Sequence, residues 1–214
     1  MLSIHHLARD GAVYLVTRLP AGRNNKPEVE VVAFGLEVAL GGLLQLAVFI
    51  IVAWCLGLVP EMLVALVTMA GYRLPAGGVH CSAYYRCLLL SLLTLILLAL
   101  LGRELALAAG KYLPVLALAV FVVNLVIARK WAPAAVPAAP IINPRRRSRL
   151  KQIAYLWLAG WLLVMLAGFY LQWPPSLLAS SLLALVVQGL ALTPAGFAVI
   201  GRADSLLKRL LPLG

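Results

Sequence analysis

The sequence predicts an all-α polytopic membrane helix bundle, with about six transmembrane or re-entrant segments and an N-terminal amphipathic helix. Three observations carry that prediction. Hydrophobic residues make up 64% of the 214 and charged residues 12%, where a soluble domain has roughly 25% charged. The mean hydropathy of +1.01 exceeds what one small core can hide. The formal charge of +11 is carried at the ends of apolar runs rather than along one polar surface, which turns it away from nucleic acid and towards orientation in a bilayer. By length the chain is one membrane domain, residues 1–214.

Residues 2 to 19 place Ile4, Leu7, Ala8, Leu15 and Leu19 near one helix face. This element either lies on the membrane or packs against the bundle. The neighbouring His5 and His6 point about 100° apart on a helix and make a poor metal site. With the polar turn from Pro20 to Glu30 they complete an N-terminal region, 1–30. The first thirty residues show no apolar stretch leading to a small-residue cleavage site, so the first apolar run is expected to insert and stay. That run is Val31 to Val59, long enough to span. Glu37 is its exception: either an interfacial carboxylate, or a partner that orients His80 or pairs with Arg73.

Val59-Pro60-Glu61 reads as a tight break, followed by only eleven apolar residues, Met62 to Tyr72. These supply about 16 Å of helix, too short to cross alone. The chain from 73 to 87 is therefore expected in a partly buried cavity facing the cytoplasm, where non-helical backbone is tolerated. Cys87 to Leu101 and Tyr112 to Ala128 read as the next spans, Pro114 falling in a first turn where proline is tolerated. Arg129 to Lys151 is a Pro-rich basic connector, expected to be extended and non-helical. Gln152 to Leu171 and Ser176 to Ile200 close the series, with Pro194 and Gly196 set to kink or end the last one.

Charge fixes the orientation. If the amino end, the 73–87 segment, the 129–151 loop and the carboxyl end all face the cytoplasm, they hold 16 of the 18 Lys and Arg, leaving Arg103 and Lys111 outside. This is the positive-inside pattern, and it predicts a multi-pass protein of the cell membrane with the candidate site on the cytoplasmic side.

The 73–87 segment concentrates chemistry in a chain otherwise poor in it: Arg73, Gly77, Gly78, His80, Cys81, Arg86 and Cys87. A thiol with an ordinary pKa near 8.5 is mostly protonated at neutral pH and needs help to attack an amide. His80 can take the proton, Arg73 and Arg86 add positive potential, and Cys87 opens an apolar helix whose N-terminal amides favour a thiolate. The glycines let backbone approach a scissile peptide. Were residues 80–87 one helix, His80 and Cys87 would lie about 10.5 Å apart along its axis, so a dyad requires a bend. Cys81 is the rival nucleophile, although its side chain diverges from that of adjacent His80. A zinc site lacks a fourth ligand and a recognised spacing, and no paired C-x-x-C supports redox chemistry, so neither a metal nor a cofactor is expected. Cys55 reads as a packed small hydrophobe. The plainest alternative is a glycine turn between spans with an incidental His and Cys.

An Arg, then Gly-Gly-x-His, then a Cys seven residues after the His, here Arg73, Gly77, Gly78, His80 and Cys87, resembles the AgrB (accessory gene regulator protein B) family. Phe34-Gly35-Leu36-Glu37 upstream and the basic connector downstream extend the likeness over most of the chain. The resemblance implies a membrane-embedded cysteine endopeptidase that cuts an AgrD-like precursor peptide and closes it into a thiolactone or lactone for quorum sensing. It implies Cys87 as nucleophile, His80 as proton shuttle and Arg73 with Gly78 shaping the site. The expected partners are that peptide and the lipid bilayer, with self-association open. A small transporter or peptide export channel is the alternative from another class, and a non-catalytic scaffold is a third.

Overall fold

The computed structural model describes residues 4–18, 28–135 and 141–210. Most of the polar turn expected from Pro20 to Glu30, and residues 136–140 of the basic connector, lie outside them. The described chain is helical: α1 Ile4–Arg18, α2 Val29–Cys55, α3 Val59–Ala76, α4 Tyr84–Ala109, a 3-10 turn Gly110–Tyr112, α5 Leu113–Trp131, α6 Pro144–Tyr170, α7 Pro175–Leu190 and α8 Pro194–Leu210. Among the described residues no strand occurs, only an isolated bridge between Gly77 and Ala134. Three helical stretches, Val29–Cys55, Tyr84–Trp131 and Pro144–Tyr170, are long and apolar enough to cross a membrane, and α7 with α8 forms a fourth if that bent pair counts as one. Large apolar side chains such as Leu107, Val115 and Leu156 point outwards on these helices, which suits hydrocarbon rather than water. The fold is the expected all-α membrane bundle.

Packing divides the chain into two compact units, residues 1–52 and 53–214. In the first, α1 buries Ala8 and Ala12, and a Cβ added at Gly11 would meet Leu36 at 3.3 Å. The packed face is thus one of small residues, which permit close helix approach. Leu7 and Leu15, expected beside Ala8, are exposed instead.

In the second unit α7 is central, packed against α3, α4 and α5, while α6 closes on α3 and α5. Small residues make this possible. A Cβ at Gly102 would overlap Ser180, one at Gly189 would overlap Asn124, and one at Gly71 would lie 2.5 Å from Trp157. Some polar groups trapped inside pair with each other: the Thr68 and Ser181 hydroxyls are 2.8 Å apart, and Trp161 Nε1 donates to Ser181 Oγ at 2.9 Å. Tyr72 stacks on Trp157 with ring centroids 5.5 Å apart. α4 runs antiparallel to α3 and α7, and α5 returns, so the unit has two ends. One carries Gly57, Glu61 and Arg103. The other gathers the loop after Gly77, the end of α5, the end of α7 and the start of α8.

Three expectations are corrected. Pro60 does not break the chain but occupies the first turn of α3, where its missing N–H costs nothing. α3 therefore has 18 residues, about 27 Å, longer than the eleven-residue return expected. The basic connector is not extended throughout. Asn143 accepts from the amides of Arg145 and Arg146 at 2.9 and 3.4 Å, capping a helix whose first turns hold Arg145 to Lys151; a side-chain acceptor followed by proline is a helix start. Cys55 is exposed at the end of α2 rather than packed, because apolar runs here face outwards as much as inwards. The last span does end early, at Leu190, with α8 turned by 92°.

Candidate active site

The site is built on a loop that only glycine permits. α3 ends at Ala76, and Gly77 and Gly78 take φ of +77° and +135°, a region L side chains avoid. A Cβ at Gly77 would collide with the Ala134 carbonyl, so the glycines here admit the chain's own backbone. The loop is pinned on several sides. Gly78 N donates to Ala134 O at 3.2 Å, Ala134 N to Ala76 O at 2.8 Å, and Val79 N to Ala191 O at 3.3 Å. Gln188, fully buried on α7, donates to Gly77 O at 3.0 Å and accepts from Arg73 Nη1 at 3.4 Å. Arg73 also donates to Val79 O.

Residues 77–83 are non-helical and α4 begins only at Tyr84. His80 and Cys87 are therefore not two points on one rod: His80 lies on the non-helical loop and Cys87 in the first turn of α4. Arg73 is their common neighbour: its charge acts on His80, on Cys81 and on Cys87. His80 sits at the surface of the loop. Partial burial and then the Arg73 charge hold its imidazole below the usual value, so it is neutral at pH 7 and able to accept a proton.

The two thiols are both half-buried. Burial, reinforced by Cys87 and Asp204, pushes the Cys81 thiol up to about 11. At neutral pH Cys81 is thus a protonated thiol, not a thiolate. Cys87 lies in the first turn of α4, its amide bonded to Ala83 O at 3.1 Å, where the helix N-terminus favours negative charge. Among the described residues no three His, Cys, Asp or Glu side chains converge as metal ligands would.

Arg86 departs from expectation. Rather than facing the thiols freely, its buried guanidinium bonds Asp204 Oδ1 at 2.7 Å, Ser82 Oγ at 2.6 Å and Tyr85 Oη at 2.8 Å. Its charge is paired with Asp204, although it still acts on Cys81, while Arg73 acts on both thiols. Asp204 and Gln188 are the residues that sequence reasoning missed, since nothing local marks them. Glu37 is partly buried on α2 in the first unit, whereas the loop, both thiols and Arg73 belong to the second.

A polytopic helical membrane protein, with a neutral imidazole, a thiol pair and a guanidinium at one polar break, is the class that fold and site define. The family model for accessory gene regulator B, AgrB, matches residues 9–192, and the chain belongs to that family. A Clostridium acetobutylicum protein described as AgrB-like is 28% identical over 122 residues. The match takes in 57% of this chain and 56% of that relative, so it spans little more than half of the relative's length. No solved structure matches the chain. Membership ties the protein to the membrane and to the agr quorum-sensing system.

Proposed function

We propose that this protein is a cysteine endopeptidase that cleaves an AgrD-like precursor peptide and cyclises the product, with Cys87 as nucleophile and His80 as base. The observation that carries the reading is the division of labour between the thiols. Cys81 is held protonated, while Cys87 lies within reach of the Arg73 charge in the first turn of α4. That sets Cys81 aside and leaves Cys87 as the candidate nucleophile.

The chemistry follows in two balanced steps. His80 takes the Cys87 proton, the sulfur adds to the scissile carbonyl, and the leaving amine receives that proton as the C–N bond breaks, giving a thioester on Cys87. An internal thiol or hydroxyl of the bound peptide then gives its proton to His80 and attacks the thioester. A cyclic thiolactone or lactone forms, and Cys87 departs as a thiolate that the proton on His80 neutralises. A site that excludes water and holds the internal nucleophile in place favours ring closure over hydrolysis. Gly77 and Gly78 shape the backbone of the site.

The site end faces the cytoplasm in this reading. The support is the basic charge: Arg73, Arg86, the 129–151 connector and Arg202, Lys208 and Arg209 all fall on segments assigned to that side, as positive-inside bias requires. Arg145 to Lys151, on the first turns of α6, offer an acidic segment of the precursor a place to dock. In this reading residues 73–87 are the catalytic segment.

The test is co-expression with a candidate precursor, followed by mass spectrometry of the protein. A truncated peptide joined to Cys87, absent in Cys87→Ala, is the expected result. Undiminished processing by Cys87→Ala would refute the assignment.

A further inference from the structure

The chain between the two candidate groups is held by a residue from the other end of the sequence. α8 begins at Pro194, past residue 192, where the family match stops. On it Phe197, Ile200, Asp204 and Leu207 recur at helical spacing and are partly buried, so one face of α8 lies against the unit. From that face Asp204 Oδ2 accepts from Ser82 N at 3.2 Å and from Ser82 Oγ at 2.7 Å, and Oδ1 accepts from Arg86 Nε at 2.7 Å. Ser82 stands two residues after His80, and Arg86 stands one before Cys87. A single carboxylate thus grips both flanks of the bend.

The N-cap of α4, Ala83, offers no side-chain acceptor. One residue earlier the Asp204 carboxylate holds the backbone and hydroxyl of Ser82, which fixes where the chain enters the helix. The Arg86 side chain is 7% exposed and that of Asp204 15%, so removing the carboxylate would leave a buried, unmatched guanidinium beside Cys87, which must move to find water.

We infer that Asp204 is a positioning residue for the His80 and Cys87 pair, acting through Ser82 and Arg86 from a helix that lies beyond the matched family region. This rests on the reading of that pair as the dyad. Asp204 touches neither substrate nor reacting atoms. It sets the direction in which the loop leaves α4, and with it the placement of His80 relative to the thiol.

The experiment uses the full chain in lipid nanodiscs, as wild type, Asp204→Ala, Asp204→Glu and, as a control on the same helix, Ser205→Ala. Two quantities are measured: kcat and KM for cleavage of a precursor peptide that the wild type cuts, and the rate at which iodoacetamide labels Cys87, read peptide by peptide. Asp204→Ala is expected to lower kcat by about ten- to a hundredfold with KM nearly constant, and to change Cys87 labelling by about threefold or more, since small displacements of reacting groups are costly. Asp204→Glu should restore most of both, and Ser205→Ala should match wild type. Where Asp204→Ala fails to accumulate, Asp204→Asn replaces it, keeping an acceptor for Ser82 while losing the charge opposite Arg86. Wild-type kcat in the Ala or Asn variant overturns the inference. So does a loss that Glu does not rescue while Cys87 labelling stays unchanged, which marks a general folding role. If the wild-type chain cleaves no precursor, the functional reading falls and the labelling comparison alone decides the role of Asp204.

Discussion

The second unit turns its chain at both ends, and the two turns are built alike but loaded differently. At one end the path from α2 to α3 bends at Gly57 and is closed by Arg103, which bonds Glu61 at 2.9 and 3.1 Å and the Gly57 carbonyl at 2.6 Å. At the other the path from α3 to α4 bends at Gly77 and Gly78 and is closed by Arg86 on Asp204. Each is an arginine of α4 locked onto a carboxylate. The difference is what remains. At the Glu61 end the ion pair closes a turn, whereas near the Asp204 end Arg73 also acts on His80, Cys81 and Cys87. A clamp of the same design therefore holds a fold at one end and presents a set of reactive groups at the other.

The comparison breaks most sharply at His80. His80→Gln is expected to slow precursor cleavage by about 10²- to 10⁴-fold, the usual worth of a general base, with unchanged melting of the purified protein. Its pH profile carries the sign. Burial and Arg73 lower the imidazole pKa, so cleavage holds steady from neutral pH down past about 6.5, the ordinary value, and falls only when His80 is protonated below it. Arg73→Gln removes one of the two causes and should move that acid limb upward.

Gly77→Ala tests the turn rather than its cargo. The positive φ and the collision with Ala134 should destabilise by about 1–3 kcal/mol and abolish Cys87 labelling selectivity, read by thermal melting and peptide mapping. Gly42→Ala, where an added Cβ meets nothing within 4 Å, should be neutral or slightly stabilising, as a helix interior prefers alanine. Glu61→Gln strikes the opposite clamp. It should cost about 1–2 kcal/mol, since Arg103 is partly exposed and keeps its bond to Gly57, while Cys87 labelling per folded molecule stays at the wild-type rate. A matching fall in Cys87 reactivity would mean the two ends are not separable.

The smallest effect belongs to Cys81→Ala. With its thiol pushed up to about 11, Cys81 should resist alkylation until strongly alkaline pH. Its removal should change the cleavage rate by no more than roughly fivefold, the worth of about 1 kcal/mol. Abolished cleavage in that variant would transfer the nucleophile's role to Cys81.

Some of this was legible along the chain. Hydropathy gave the class, and Gly77-Gly78 followed by His80 marked the break, because a left-handed turn and an imidazole are costly inside an apolar run. Pro60 and Pro144 were read as interruptions although each sits where a helix starts; in the second case the signal was local, an asparagine before a proline. Gln188 and Asp204 had no such signal. They stand 115 and 118 residues from Arg73 and Arg86, and no spacing rule links side chains at that distance.

What the sequence by itself determined is therefore the solvent the chain lives in and the local chemistry of residues 73 to 87, since both depend on composition and near neighbours. The tertiary structure alone decided which arginine is paired with a carboxylate and that the Cys81 thiol is pushed up. The physical reason is that burial and charge pairing are set by whatever helices arrive from elsewhere in the chain, here α7 with Gln188 and α8 with Asp204.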